Sequence, residues 1–330
     1  MYKRQIETIY WGGGTPSQLD KEDFETIFYY LHKNYSISSH PEITLEANPD
    51  DLTPDYIAML RTLPFNRLSM GIQTFNESIL KVLQRRHTAR QAIEAFQNCR
   101  AAGFQNISID LMYGLPGETL STWQQDLDQA LLLHPEHLSA YHLIYEEDTV
   151  LWKLREQHKV EEADEDLSVS LFSTLIDRLT SEGYDHYEIS NFSLPGLYSR
   201  HNSSYWTEKK YLGCGPSAHS YNGVSRQWNV ASLDTYIKGI SAGTPVFEIE
   251  ELDLYTRYND FVITRIRTEW GMPLSKLRDE FGEKLYDYCL RMAAPHLKQG
   301  TLELVNDILK LTRKGIFISD GIMSDMLWTD

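Results

Sequence analysis

The stretch "IETIYWGGGTPSQL", residues 6–19, runs an apolar strand straight into three glycines, and a Thr-Pro pair then opens a helical turn. Three residues without side chains at a strand end let the backbone approach another group closely. Phosphate is the usual partner of such a loop. A P-loop, however, needs Gly-Lys-Ser/Thr at the helix start, and a dinucleotide loop needs the GxGxxG spacing. Neither pattern is present, so the glycines serve a different ligand.

Working outward, the same strand-then-helix alternation repeats. "EITLEAN" (42–48) precedes a helix over 54–63, "NRLSMGIQ" (66–73) precedes helical stretches through 77–102, and "NISIDLMYG" (106–114) precedes "TWQQDLDQALLLH". "HLSAYHLIYEE" (137–147) ends the series. Alternation with short connections argues for parallel βα units, closed as a barrel or open as a sheet. Each strand finishes in glycine or polar residues: Gly12 to Thr15, Glu46 and Asn48, Gln73, Asp110 and Tyr113, His142 and Tyr145. Parallel α/β enzymes carry their sites at the carboxyl ends of the strands, so five such ends predict one functional rim.

Composition narrows the class. The chain has 330 residues, 42% of them hydrophobic and 12% aromatic, which suits a globular α/β protein with a sizeable core. A formal charge of −16 repels polyanions, so nucleic acid is excluded as a general partner. No apolar run is long enough for membrane insertion, and "MYKRQIETIYW" lacks a signal-peptide core, which makes a cytoplasmic protein the expectation. Cys99, Cys214 and Cys289 are too few and too scattered for a disulfide framework or a zinc finger.

A charged link, "KLREQHKVEEADED" (153–166), closes the first unit, and three domains are expected: a core over 1–152, a mixed α/β extension over 153–250, and a helical C-terminal part over 251–330. The last part reads helix-helix-helix-hairpin, the outline of a winged helix. It carries no basic recognition helix, which argues against DNA binding.

Four motifs in fixed order, "GGGTPS", "LEANP", "RLSMGIQTF" and "IDLMYGLPGET", resemble the radical S-adenosylmethionine (SAM) enzymes of the HemN/HemW group, and the likeness covers nearly the whole chain. The resemblance implies a partial (β/α) radical-SAM barrel lacking its first strand. It also implies a SAM site in which Gly13, Gly14 and Thr15 meet the amino acid head of SAM. Glu46, Gln73, Arg85 and Asp110 contact the rest of the cofactor, and backbone at Ile144 meets the adenine. Glycines that expose N–H and C=O groups suit a zwitterionic head, and carboxylates suit ribose hydroxyls.

The group binds a [4Fe–4S] cluster through CxxxCxxC after the first strand, a spacing that none of the three cysteines has. The sequence therefore reads as a chain lacking its cluster segment, with the cluster expected only in a full-length form; a natural variant without radical chemistry is the other reading. "HNSSYW" (201–206) matches a motif that the resemblance associates with heme in the heme-chaperone branch, which makes His201, Asn202, Tyr205 and Trp206 candidates for heme contact. An imidazole beside a Tyr and a Trp offers an axial nitrogen and flat apolar surface. Cys214 and His219 of "GCGPSAHSY" are secondary candidates. Expected partners are heme and heme-accepting proteins, and a second copy in a homodimer is admitted. Oxidative decarboxylation of coproporphyrinogen III is the rival activity.

Overall fold

The computed structural model describes residues 5–329. It divides into two compact units, 1–201 and 202–330.

In the first unit, strands β1 (Gln5–Trp11), β2 (Ser36–Ala47), β3 (Arg67–Gln73), β4 (Ile107–Tyr113) and β5 (His137–His142) pair in parallel in chain order. β6 (Asp185–Glu188) and β7 (Asn191–Ser193) extend the sheet antiparallel, giving the order β1-β2-β3-β4-β5-β7-β6. The result is a curled half-barrel, as the alternation of strands and helices predicts. Because β7 pairs with β5, the compact unit continues past 152 to His201.

The connecting helices are α1 (Lys21–Asn34), α2 (Pro54–Leu60), α3 (Glu77–Val82), α4 (Ala89–Ala101), α5 (Leu120–Leu132), α6 (Val150–Glu156) and α7 (Glu165–Ser181). Each opens on a side-chain cap. Asp20 caps α1, Thr53 α2, Asn76 α3, Thr88 α4, Thr119 α5, Thr149 α6 and Asp164 α7. Such caps satisfy amide donors that the first helical turn leaves unpaired.

Side-chain alternation sorts the two faces of the sheet. Leu68, Met70 and Ile72 of β3, with Ile107, Ile109 and Leu111 of β4, are completely buried under the helices. On the same layer, Trp11 packs edge-on against Phe24 of α1, and the Trp123 indole of α5 donates to the Leu171 carbonyl of α7 at 3.0 Å. The opposite face carries Thr8, Tyr10, Thr44, Glu46, Arg67, Ser69, Ser108, Asp110 and Ser139. This polar inner face is where a site can be built.

The first unit ends inside helix α8 (Arg200–Trp206), which carries the HNSSYW stretch. In the second unit, β8 (His219–Tyr221), β9 (Ser225–Asn229) and β10 (Phe247–Glu251) form an antiparallel sheet, with α9 (Leu233–Ser241) between β9 and β10. α10 (Leu254–Ile266), β11 (Met272–Pro273), α11 (Leu274–Gln299), β12 (Leu302–Val305), β13 (Ile308–Leu311), α12 (Arg313–Ile316) and α13 (Ser319–Met326) complete it. Tyr258 and Phe261 of α10 pack on Phe281 of α11, with ring centroids 6.0 and 5.4 Å apart. Asn306 and Asp307 both take positive φ and close the β12–β13 hairpin, the backbone that a two-residue primed turn requires. This helix-rich region with one small hairpin matches the outline read from the sequence.

Candidate functional site

The rim is organised around Glu46. Its Oε1 accepts the Tyr10 hydroxyl at 2.7 Å and its Oε2 accepts the Gly13 N–H at 3.2 Å. The carboxylate at the end of β2 is thereby bound to the glycine loop that follows β1. Burial, together with the neighbouring Glu46 and Asp110 carboxyls, holds the Tyr10 hydroxyl far above its ordinary range, so it remains a donor.

The glycines divide their work. A Cβ at Gly12 would lie 2.7 Å from the Tyr10 ring and 2.8 Å from Glu46 Oε1, so Gly12 permits the close approach. Gly13 and Gly14 have φ of 75° and 63°, the left-handed region, and a Cβ on either would meet nothing within 4 Å. Their backbone is open to a ligand. Thr15 is exposed and begins a short 3-10 turn over Pro16–Gln18.

Arg85 joins the next two strand ends. One guanidinium nitrogen donates to Asn48 Oδ1 at 2.7 Å and to the Gly71 carbonyl at 2.8 Å. Burial lowers its pKa, with the Asp50 charge opposing. Gln73 has φ of 71° at an irregularity in the β3–β4 register, and its amide lies over Gly71 close to Arg85.

Asp110 sits one layer deeper, register-paired with Gly71 and Ser139. The Ser69 hydroxyl lies 3.3 and 3.2 Å from its two oxygens, while the neighbouring Ser139 hydroxyl donates to Asn191 Oδ1 at 3.0 Å. Burial pushes its pKa up to about 6 against the opposing pull of Arg67. Ile144 follows β5 and is 74% exposed, an apolar side chain left open to solvent. Gly13, Glu46, Gln73 and Asp110 therefore share the inner face, with Gln73 and Arg85 meeting above Asp110.

Three of the strand-end residues behave differently. Tyr113 points into the helical layer and stacks on Phe172 at 5.9 Å, His142 meets Tyr113 edge-on at 5.1 Å and the Ser168 hydroxyl of α7 at 2.9 Å, and Tyr145 packs with Ile79, Leu115 and Leu143. Sequence reading picks out Asn48 as a polar strand end but does not single out Tyr10 and Ser69. Their signal was alternation: each shares the inward parity of a recognised neighbour.

The HNSSYW residues fall on both sides of the division between units. His201 belongs to the first unit. Its Nδ1 lies 2.8 Å from the Thr8 hydroxyl, and its ring stacks on Tyr10 at 4.8 Å and 20°. Glu42 of β2 accepts the backbone N–H groups of Arg200 and His201 at 3.0 and 2.8 Å. Burial first, and the Arg67 charge second, lower the imidazole to about 4, so it is neutral at pH 7. In the second unit Asn202 is half-buried, Tyr205 meets Tyr211 edge-on at 4.8 Å, and the Trp206 ring lies 4.4 Å from the Arg267 guanidinium. Cys214 and His219 are exposed, and His219 stacks on Trp228.

The rim fits SAM. Open glycine backbone offers N–H and C=O groups to an amino acid head, and Glu46 offers hydroxyl-accepting oxygens beside it. The described residues do not fit an iron–sulfur cluster. No three His, Cys, Asp or Glu side chains among them are placed to hold a metal ion. Cys99 and Cys289 are buried in α4 and α11, with thiols pushed up to about 12 and 11 by burial, whereas a cluster needs thiolates.

Comparison with known proteins shows the family. Residues 1–130 match the radical SAM superfamily and residues 252–318 match the HemN C-terminal domain. The heme chaperone HemW of Lactococcus lactis is 32% identical over 99% of this chain and 86% of that protein. That of Bacillus subtilis is 30% identical over 98% of this chain and 86% of its own length. Among solved structures, the coproporphyrinogen III oxidase HemN of Escherichia coli superposes with a TM-score of 0.83 over 98% of this chain and 78% of that one, at 23% identity.

Proposed function

The chain belongs to the radical SAM HemN/HemW family, in its HemW branch, and from that membership we propose that it binds heme and passes it to heme-accepting proteins while holding SAM on the rim. The observation that carries the reading is similarity at 32% identity along 99% of the chain to a heme chaperone. The supporting chemistry lies in the HNSSYW stretch, where His201 is a neutral imidazole at pH 7, the form that can ligate iron. Trp206 and Tyr205 add flat aromatic surface for a porphyrin. Bound SAM would supply radical-initiating chemistry only beside an iron–sulfur cluster, which the described residues do not hold. In the proposed rim, this chain's Gly13, Gly14 and Thr15 hold the amino acid head, and Glu46 and Asp110 orient the hydroxyls.

The rival reading, oxidation of coproporphyrinogen III, draws on the HemN neighbour, whose 23% identity speaks for the fold alone. Titration with hemin tests the chaperone reading. A saturable complex with a defined Soret band is expected, and heme should pass from it to an apo-hemoprotein faster than free heme dissociation allows. Trp206→Ala is expected to weaken heme binding about 5- to 150-fold, the equivalent of roughly 1–3 kcal/mol of aromatic contact. Asp110→Ala should leave heme affinity within about twofold, because Asp110 belongs to the inner face below the rim. Non-saturable hemin uptake would overturn the chaperone reading.

A further inference from the structure

We propose that the polar inner face of the sheet, two residues below Glu46 along the strands, holds a small carboxylate anion on Arg67 and Thr44. Arg67 opens β3 and is 1% exposed, and Thr44 is its register partner on β2 and 0% exposed. Register partners in a parallel pair present their side chains on the same face. The Nε of Arg67 and the Thr44 hydroxyl are both fully enclosed without a hydrogen-bond partner among the described residues.

A guanidinium enclosed in this way calls for an anionic or strongly accepting partner. The surrounding groups do not supply it. Asp110 draws on the Arg67 charge but forms no ion pair with it among the described residues, and it is engaged by Ser69. His137 is tied to Ser108 at 2.7 Å and to Tyr187 at 2.7 Å. Glu46 is tied to Tyr10 and Gly13. His137 and His201 are both held neutral by burial and by the Arg67 charge, so neither offers a second cation to the anion.

The donor set selects the anion. A planar guanidinium beside one hydroxyl matches the two in-plane oxygens of a carboxylate. A tetrahedral dianion would bring two charges against one cation with Asp110 nearby. Thr44 is also the register partner of Tyr10 and lies two residues before Glu46, about 7 Å along the strand, which puts this anion on the inner face below the rim and not on the open glycines. Near-complete burial favours a free acid of acetate size over the arm of a larger molecule.

Thermal unfolding of the full chain in sodium acetate, with sodium chloride balancing ionic strength, tests the proposal. The wild type should show a saturable rise of at least about 3 °C in acetate and none in chloride. Arg67→Met should lose the response, and Thr44→Val should need about tenfold more acetate for half the rise. Equal behaviour in the two salts would overturn the site, as would an Arg67→Met chain that keeps the response. Should Arg67→Met not fold, saturation-transfer NMR on the acetate methyl with wild type and Thr44→Val decides. Absence of transfer to wild type refutes the site. The assay involves neither SAM nor heme, so its failure is separate from failure of the proposed function.

Discussion

Replacing His201 with alanine is expected to lower the stability of the first unit by about 3 kcal/mol at pH 8 and to remove part of its acid sensitivity. Three losses add up. The stacked contact with Tyr10 is of a kind that contributes about 0.5–1.5 kcal/mol, and the bond to Thr8 contributes about 1 kcal/mol. The vacated ring volume adds a cavity cost of about 1–2 kcal/mol where the site cannot collapse. Thr8→Val, which removes only the hydrogen bond, should cost about 1 kcal/mol. Urea denaturation of both variants measures these differences, and a His201→Ala chain within about 0.5 kcal/mol of wild type would mean the ring is not packed on β1.

The pH dependence follows from the same burial. The folded imidazole titrates at about 4, below the ordinary 6.5 that it regains on unfolding. The unfolded chain therefore takes up a proton first as pH falls. The stabilising contribution is fully present above pH 6.5 and is lost between 6.5 and 4, amounting to at most about 3 kcal/mol. Asp110 and Glu118 act in the opposite direction. Burial raises them to about 6 and about 7, so the folded state takes up their protons first. Both remain in the variant, so the wild-type-minus-variant difference isolates His201. That difference should shrink from pH 8 to pH 5. A constant difference would show that the imidazole titrates normally in the fold.

How much of this was written in the sequence depends on the range of the contacts. "RLSMGIQ" shows its two faces by parity alone, because Leu68, Met70 and Ile72 alternate with Arg67, Ser69, Gly71 and Gln73, and a half-barrel with a polar interior follows from such strands. The glycine loop was also legible, since a strand running into three glycines needs a close backbone approach. Reading polar strand ends as rim residues failed at Tyr113 and Tyr145: Tyr113 has the parity of Ile107, Ile109 and Leu111, and both rings bury enough apolar area to pack into the helical layer. Long-range contacts left no local trace. His201 meets Thr8 across 193 residues, and β7 joins β5 after two intervening helices. Motif reading assigned His201 to heme from its neighbours in sequence, while its packing is set by β1 and β2. Arg67 passed unnoticed because an arginine opening a strand resembles an ordinary surface cation until burial is known.

Gly12→Ala should weaken SAM binding by at least about 30-fold while costing about 1–3 kcal/mol of stability, the range for an overpacked methyl. The added Cβ would lie 2.7 Å from the Tyr10 ring, 2.8 Å from Glu46 Oε1 and 2.9 Å from Glu46 Cδ. None of these atoms is the loose end of a flexible side chain. Tyr10 is fixed between the His201 ring and the Glu46 carboxylate, and Glu46 is fixed by Tyr10 and the Gly13 N–H. The methyl must therefore displace the pair, and Glu46 loses its place beside the open glycines. A loss of about 2 kcal/mol, one charge-assisted contact, corresponds to the 30-fold change. Tyr10→Phe separates the two contributions. It keeps the ring and removes only the bond to Glu46, so it should weaken SAM about tenfold or less. Isothermal titration of the three chains with SAM measures the series. Gly12→Ala affinity within threefold of wild type would show that Glu46 is not held at this loop when SAM binds, and the proposed rim would lose its central carboxylate.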